Sequence, residues 1–423
     1  MRRSLVVAAA LGASVVSVVP CLAEGTGVAQ ASAIDAVIDD AIAGRRIVGA
    51  VVLVAYRGHV VYRRAAGYAD RERGVAMREN TIFRFASLSK PLVSAAAMRL
   101  VEERKIGLDD PVTRWLPSFQ PRLPDGSVPT ITIRQLLTHT AGLSYGFAEP
   151  DDGPYRKAGV SDGLDDPGVS LDENLRRIAS VPLSYAPGQR WAYSMSLDVL
   201  GAALASATGK PLPQVVQQQI TGPLRMTDTG FHARSASRLA TPYQDSAPEP
   251  VRMASEAAVP VGSGVLRYTP ARALDAHAYP SGGAGMVGTA PDFMRFLLAI
   301  RAGGGGVLKP QTVAQMMRDQ VGTAAQTQGP GWGFGYGWAV LDDPALVPTP
   351  QAKGTIQWGG AYGHTWFFDP VNDIAVVALT NTAVEGMSGE FPRELRDAVY
   401  RVFAAGPGAG AGASPASASA SAR

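Results

Sequence analysis

FRFASLSKPLVSAAAMRLVEERKIG, residues 83–107, places two serines and a lysine at the mouth of a segment that is apolar almost all round. From residue 92 to residue 105 the spacing predicts a buried helix, with Gly107 as its stop. On a helix, residues three apart lie about one turn apart on the same face. Ser87 and Lys90 can therefore touch, whereas Ser89 and Lys90 point in different directions. A helix that starts at Ser87 leaves that residue's N–H unpaired and sets the positive end of the helix dipole beside the hydroxyl. A serine hydroxyl is a poor nucleophile until a base takes its proton, and a lysine serves as that base when burial and a positive neighbourhood lower its pKa. The pattern reads as a nucleophile, Ser87, with Lys90 as its base. Against this, an S-x-x-K tetrapeptide arises by chance about once in a chain of this length, and a serine before a helix is also an ordinary N-cap.

The 423 residues, 46% hydrophobic and 18% charged, supply a substantial core for one large domain or two intimate lobes and exclude wholesale disorder. A formal charge of +3 lacks the electrostatic footprint of a nucleic-acid binder and points to small-molecule partners. Residues 1–23 run from Arg2 and Arg3 through an apolar stretch to small residues, the pattern of a secretory signal peptide. The protein is expected to be exported, periplasmic or secreted, with no stable membrane insertion after cleavage. Cleavage after Ala23 removes Arg2, Arg3 and Cys21, the only cysteine, which lowers the formal charge to +1 and leaves no disulfide chemistry. Pro20 stands where a lipoprotein signal would carry a small residue, and an uncleaved anchor differs from a signal mainly in the length of its apolar run. Residues 405–423 are glycine, alanine, serine and proline, with a single arginine at the end, and read as a disordered tail.

Between these ends, a helix is expected over residues 33–44, then two β-rich runs over residues 50–70 around a turn at Arg57-Gly58. ITIRQLLTHTAGL and SMSLDVLGAALASATGKPL read as further helices, the second ending at Gly209. Residues 151–168 and 247–264 read as proline- and glycine-rich connectors. GWGFGYGWAVLDD, GTIQWGGAYGHTWFFDP and DIAVVALTN are strand-like, and FPRELRDAVYRVF is a closing helix. Strands at both ends with helices between them predict an α+β fold, in which an antiparallel sheet is assembled from the two chain ends and an inserted helical region packs against it. A domain spanning residues 24–404 would then comprise a sheet lobe of roughly residues 33–85 and 265–404 and a helical lobe of roughly residues 86–264, with the active site between them.

The run from residue 83 to residue 117 resembles the first motif block of the serine β-lactamase and penicillin-binding-protein superfamily. A second block, PGQRWAYSMSLDVLGAAL, supplies Tyr193-Ser194-Met195 just before an apolar helix. Class C β-lactamases carry Tyr-x-Asn there. Met195 cannot hydrogen-bond the amide side chain of a β-lactam, and the triplet looks like that of the family VIII carboxylesterases, the esterase branch. The third motif, Lys-Thr-Gly or His-x-Gly on an edge strand, is absent, and Trp358-Gly359-Gly360 is similar to the Trp-x-Gly of family VIII. Two glycines there would let backbone approach the substrate closely. The resemblance extends over residues 33–403 and implies a β-lactamase-like fold with Tyr193 shuttling protons beside Lys90. It also implies an oxyanion hole from the N–H groups of Ser87 and Ala361, and a pocket that includes Trp358, Gly359, Gly360, Met195 and His364, the last in a structural or pocket-lining role. Losing the cationic motif favours a neutral ester over a penicillin. The implied chemistry is that of a carboxylesterase forming an acyl-enzyme on Ser87, without metal or cofactor.

Other signals lead elsewhere. Gly142-Leu143-Ser144-Tyr145-Gly146 matches the G-x-S-x-G elbow of α/β-hydrolases, but a helical pattern precedes it and an acidic, proline-containing stretch follows. Ser144 therefore reads as structural, and His139 as a core or turn histidine. The five histidines lack metal-site spacing, and Gly303 to Gly306 are not followed by Lys-Ser/Thr. Three alternatives remain at this point. A β-lactamase or D-amino-acid peptidase would show a cation facing the site, a non-catalytic binding or sensor domain would form no acyl-enzyme, and an α/β-hydrolase would depend on Ser144.

Overall fold

A computed structural model of the chain describes residues 24–166 and 168–404, so the signal-peptide and tail readings lie outside the described residues. The sheet grows from the run GAVVLVAY. This strand, β1 (Gly49–Tyr56), sends Val51, Leu53 and Ala55 to one face and Ala50, Val52 and Val54 to the other, and both faces are buried. A strand covered on both sides reads as a continuous apolar run rather than an alternation. β2 (His59–Asp70) follows through Arg57-Gly58, both at positive φ, 50° and 83°, as the tight turns that match strand twist require. A short β3 (Val75–Ala76) forms the far edge.

The remaining strands come from the other end of the chain: β4 (Trp332–Phe334), β5 (Ala339–Leu341), β6 (Ile356–Gly360), β7 (His364–Asp369) and β8 (Ile374–Thr380). The order is β4-β5-β6-β7-β8-β1-β2-β3, and every pairing is antiparallel. β1 and β8 pair from Ala50 with Thr380 to Tyr56 with Ile374, so the two chain ends meet in the middle of the sheet.

One face is covered by the terminal helices α1 (Glu24–Ala43) and α5 (Glu390–Phe403), whose Ile34, Ile38, Phe391 and Leu395 pack on Val52, Val54 and Val376. The opposite face meets α4 (Ala290–Arg301) and, beyond it, the helical region built around α2 (Ser89–Glu102) and α3 (Ser196–Thr208). α2 lies inside the core. Leu92, Val93 and Leu100 are fully buried, each contributing roughly 1.5–3 kcal/mol by leaving water. α3 ends where its sequence says it should, at Gly209 in the left-handed conformation.

Two expectations about local structure change. Within ITIRQLLTHTAGL only Ile133–Leu137 is helical, entered through a capping box of Thr132 and Gln135. His139 at φ 54° and Gly142 at φ 83° then turn the chain, and a Cβ on Gly142 would lie 2.3 Å from the Tyr185 carbonyl oxygen. The supposed connector of residues 247–264 holds a strand, Ala257–Val261, that pairs with Gly264–Tyr268 through a turn at Gly262-Ser263. Among the described residues, no helix is long and apolar enough to cross a membrane.

Candidate active site

The opening stretch resolves into two pieces. Residues Ala86–Leu88 form a 3-10 turn, and the α-helix begins only at Ser89, so Ser87 sits just ahead of the helix rather than on its first turn. Pro91 is tolerated there because the first turn of a helix has N–H groups with no partner to lose. Ala86 is held at φ 46°, a left-handed conformation that costs a residue with a side chain on the order of 1 kcal/mol and places strain directly before the nucleophile candidate. Ser89 is the structural serine of the pair. Its hydroxyl donates to the Ala86 carbonyl at 2.7 Å and accepts the Met286 N–H at 3.0 Å, tying the turn to the chain at Met286.

Ser87 and Lys90 touch as their spacing predicts, with Nζ 3.3 Å from Oγ. Lys90 is fully buried, and its Nζ donates to the Gly283 carbonyl at 2.8 Å. Tyr193, delivered from 106 residues away, brings its hydroxyl to 2.7 Å from Ser87 Oγ, and the Lys90 Nζ lies 4.5 Å from the centre of its ring. The Trp358 indole N–H donates to the Tyr193 hydroxyl at 3.3 Å, which places Trp358 against the reacting groups as well as in the pocket wall.

The half-buried Ser87 opens into a cavity of about 580 Å³. Its wall beside Ser87 and Tyr193 is aromatic and aliphatic: Tyr145, Phe147 and Trp191, with Leu266 and Val261 from the hairpin of residues 257–268. Ala361 and Gly359 also line it. The Gly360 carbonyl accepts the Gly363 N–H at 2.8 Å, so the planar peptide between Gly360 and Ala361 is fixed and the Ala361 N–H is directed away from that turn. Gly363, at φ 105°, makes the turn possible; a Cβ there would meet the Thr382 carbonyl oxygen at 2.0 Å.

Three residues expected in the pocket are placed otherwise. Gly360 is needed for packing rather than for substrate approach, since a Cβ there would lie 2.4 Å from the Phe85 carbonyl oxygen and so push β6 off the nucleophile turn. Met195, the cap residue just ahead of α3, is fully buried in the core beneath the site and does not line the cavity. His364 is likewise fully buried outside the lining, with Nε2 2.7 Å from the Arg84 carbonyl oxygen and its ring edge-on to Phe83. Burial lowers its imidazole to about 4, against the hydrogen bonds to Arg84 and Gly363.

Sequence reasoning missed several participants. Asp162 lines the cavity, accepts the Gly146 N–H at 2.8 Å, and is raised by burial to about 7 despite Arg156. Arg156 Nη2 lies 3.0 Å from Asp162 Oδ2 at an ion-pair distance but without hydrogen-bond geometry, donating instead to the Val265 carbonyl. His139 brackets Tyr193: its carbonyl accepts the N–H of Ala192 at 3.0 Å and its Nδ1 that of Ser194 at 3.2 Å, with its ring 5.0 Å from the phenol ring. Burial, and then the Lys90 charge, hold this imidazole well below its usual range, so it is neutral with the proton on Nε2. Only the pairing of His139 with the Tyr193 segment in space reveals this, and no spacing rule announces a contact across 55 residues.

Ser144 lies in no strand-turn-helix elbow. Its N–H donates to the Tyr155 hydroxyl and its carbonyl accepts the Met195 N–H, which makes it a support of the Tyr193 segment.

Comparison with known proteins bears on the family and the fold. The profile of the family described as Beta-lactamase matches residues 34–401. Esterase EstB of Burkholderia gladioli is 54% identical over 374 residues, covering 88% of this chain and 95% of that protein. The solved structure of EstCE1, a hydrolase with promiscuous acyltransferase activity, superimposes with a TM-score of 0.87 at 49% identity, over 88% of this chain and 99% of that one. Unliganded simvastatin synthase LovD from Aspergillus terreus shares the fold, with a TM-score of 0.70 at 23% identity over 89% of this chain and 99% of that one. With its sheet joined from both chain ends and a serine, lysine and tyrosine converging at the cavity, this chain belongs to the Beta-lactamase family.

Proposed function

We propose that the protein is a serine hydrolase that cleaves small or short-chain carboxylic esters through an acyl-enzyme on Ser87. The observation that carries the reading is the convergence of Tyr193 OH and Lys90 Nζ on Ser87 Oγ, at 2.7 and 3.3 Å, in the wall of a largely apolar cavity. Similarity to esterase EstB and to the hydrolase EstCE1 supports the reaction class. In the first half-reaction Ser87 Oγ bonds to the ester carbonyl carbon while its proton passes to the Tyr193–Lys90 pair, Tyr193 giving its own phenolic proton to the Lys90 amine as it takes that of Ser87. The N–H groups of Ser87 and Ala361 hold the oxyanion, and collapse breaks the bond to the alkoxy oxygen, which leaves as alcohol with the proton from Tyr193. Water then adds to the acyl carbon, gives its proton to the same pair, and the carboxylic acid departs as Ser87 regains its hydrogen.

One observation favours a second reading. Arg393, exposed, and Arg396, 2.8 Å from Asp397, contribute to the cavity lining and could meet an anionic substrate such as a β-lactam. Assays of the wild type and Ser87→Ala on p-nitrophenyl acetate, p-nitrophenyl butyrate and nitrocefin separate the two. Ester hydrolysis lost in Ser87→Ala with little nitrocefin turnover supports the esterase; nitrocefin turnover matching the esters transfers the assignment to a β-lactamase. Export completes the proposal: the mature chain is expected to begin after Ala23.

A further inference from the structure

Among the described residues Lys90 Nζ has two hydrogen-bond partners, Ser87 Oγ and the Gly283 carbonyl, and the position of that carbonyl therefore helps to decide where Nζ sits. Gly283 belongs to SGGAG, residues 281–285, a loop to which the mechanism assigns nothing. The peptide that carries the Gly283 carbonyl also carries the Ala284 N–H, which donates to Ser281 Oγ at 3.0 Å. The Ser281 hydroxyl also lies near enough to the Asp198 carboxylate to favour its charged form. The peptide on the other side of Gly283 presents its N–H to Asp198 Oδ2 at 3.2 Å. Both peptides that flank Gly283 are thus pinned by buried side chains, one by Asp198 and the other by Ser281.

We propose that Asp198 and Ser281 are positioning residues for Lys90, acting through the two peptides of Gly283 to aim its carbonyl at Lys90 Nζ. The inference rests on the reading of Lys90 as part of the proton-transfer pair. Asp198, Ser281 and Lys90 are all 1% exposed or less, so water does not share these contacts. Asp198 Oδ1 is buried without a partner, an arrangement costly for a carboxylate that serves packing alone. Burial raises the Asp198 carboxyl to about 6, against Ser281 and the Lys90 charge, which leaves it ionised at neutral pH. The loop has no room for substitution: a Cβ on Gly283 would lie 2.6 Å from Asp198 Oδ2, 2.9 Å from the Tyr145 hydroxyl and 3.4 Å from Lys90 Nζ.

The test compares Asp198→Ala, Asp198→Asn and Ser281→Ala with the wild type and Ser87→Ala, by steady-state hydrolysis of p-nitrophenyl butyrate. Misplacing a reacting group costs on the order of a hundredfold in rate, so Asp198→Ala is expected to lower kcat about a hundredfold with KM within threefold. Asp198→Asn keeps an oxygen acceptor and is expected to restore most of that loss, and Ser281→Ala to fall between the two. Should Asp198→Ala fail to fold, Ser281→Ala, which removes one hydroxyl, decides the matter alone. If Ser87→Ala is inactive while these variants keep kcat within twofold, or lose only KM, or if Asn does no better than Ala, the positioning role is overturned and the esterase reading stands. Activity retained by Ser87→Ala would instead overturn the reading on which it rests.

Discussion

Tyr193→Phe removes one oxygen atom and leaves the ring in place. The ring contacts to His139, Tyr145 and Trp358, at 5.0, 5.0 and 5.2 Å between centres, hold it there without the hydroxyl. What is lost is the 2.7 Å contact to Ser87 Oγ and the acceptor of the Trp358 indole N–H. A positioned general acid–base contributes about 10²- to 10⁴-fold, or about 3–5 kcal/mol of transition-state stabilisation. Binding should barely change, because the cavity walls are intact. Stopped-flow and steady-state hydrolysis of p-nitrophenyl butyrate should show kcat down by at least about a hundredfold with KM within threefold. Unfolding in urea should show stability within about 1 kcal/mol of wild type, since one unpaired indole N–H near the cavity is the main cost. A kcat within tenfold of wild type would mean that Lys90 alone takes the proton and that Tyr193 only packs.

Three further outcomes are expected. Gly360→Ala sets a methyl 2.4 Å from the Phe85 carbonyl oxygen, so it should destabilise by about 1–3 kcal/mol in urea unfolding and lower kcat as the Ala361 N–H shifts; wild-type behaviour would show that β6 is free to move. Met195→Asn restores the residue of the class C triplet, yet the side chain is buried beneath the cavity; it should lose about 1–3 kcal/mol through an unpaired buried amide and gain no nitrocefin turnover, and a gain would show that the position reaches the ligand. His364, held by burial at about 4, stays neutral while an unfolded histidine takes up a proton below pH 6.5, so it costs stability as pH falls from about 6.5 toward 4. His364→Gln removes that penalty and leaves the other buried titrating groups in place. The stability advantage of wild type over His364→Gln should therefore shrink by about 2 kcal/mol between pH 7.5 and pH 5 in urea titrations, and a constant difference would contradict the neutral buried imidazole.

Features encoded within a few residues were legible from the sequence. The spacing of Ser87 and Lys90 puts both side chains on one side of a turn whether that turn is α or 3-10, so the pair survives the shift of the helix start to Ser89. Arg57-Gly58 marks a tight hairpin, and Gly209 ends a helix, because both positions need backbone conformations that few residues adopt cheaply. The continuous apolar runs of β1 and β8 announce strands covered on both faces, and from strands at both chain ends the joined sheet follows.

Contacts across long separations were not legible. His139 was read as a core histidine, and only the fold shows its two hydrogen bonds on either side of Tyr193. Asp198 follows Tyr193 by five residues on an apolar helix, and nothing local says that its carboxylate meets a loop 85 residues on. Met195, and His364 in its pocket-lining reading, were misplaced for the opposite reason: motif membership names a position in a pattern, whereas the direction of the side chain is set by the backbone that carries it, the cap ahead of α3 for Met195 and β7 for His364. The hairpin over the cavity was hidden by its prolines and glycines, although AAVPV and GVLRY flank Gly262-Ser263 as strands flank a turn.

The most direct measurement is to label the protein with the ester-mimicking organophosphate diethyl p-nitrophenyl phosphate and map the adduct by peptide mass spectrometry. A single diethylphosphoryl group on Ser87, formed in step with the loss of esterase activity and absent from the Ser144 peptide, is the expected result. An adduct on Ser144, or complete inhibition with Ser87 unmodified, would contradict the assignment of Ser87 as the nucleophile.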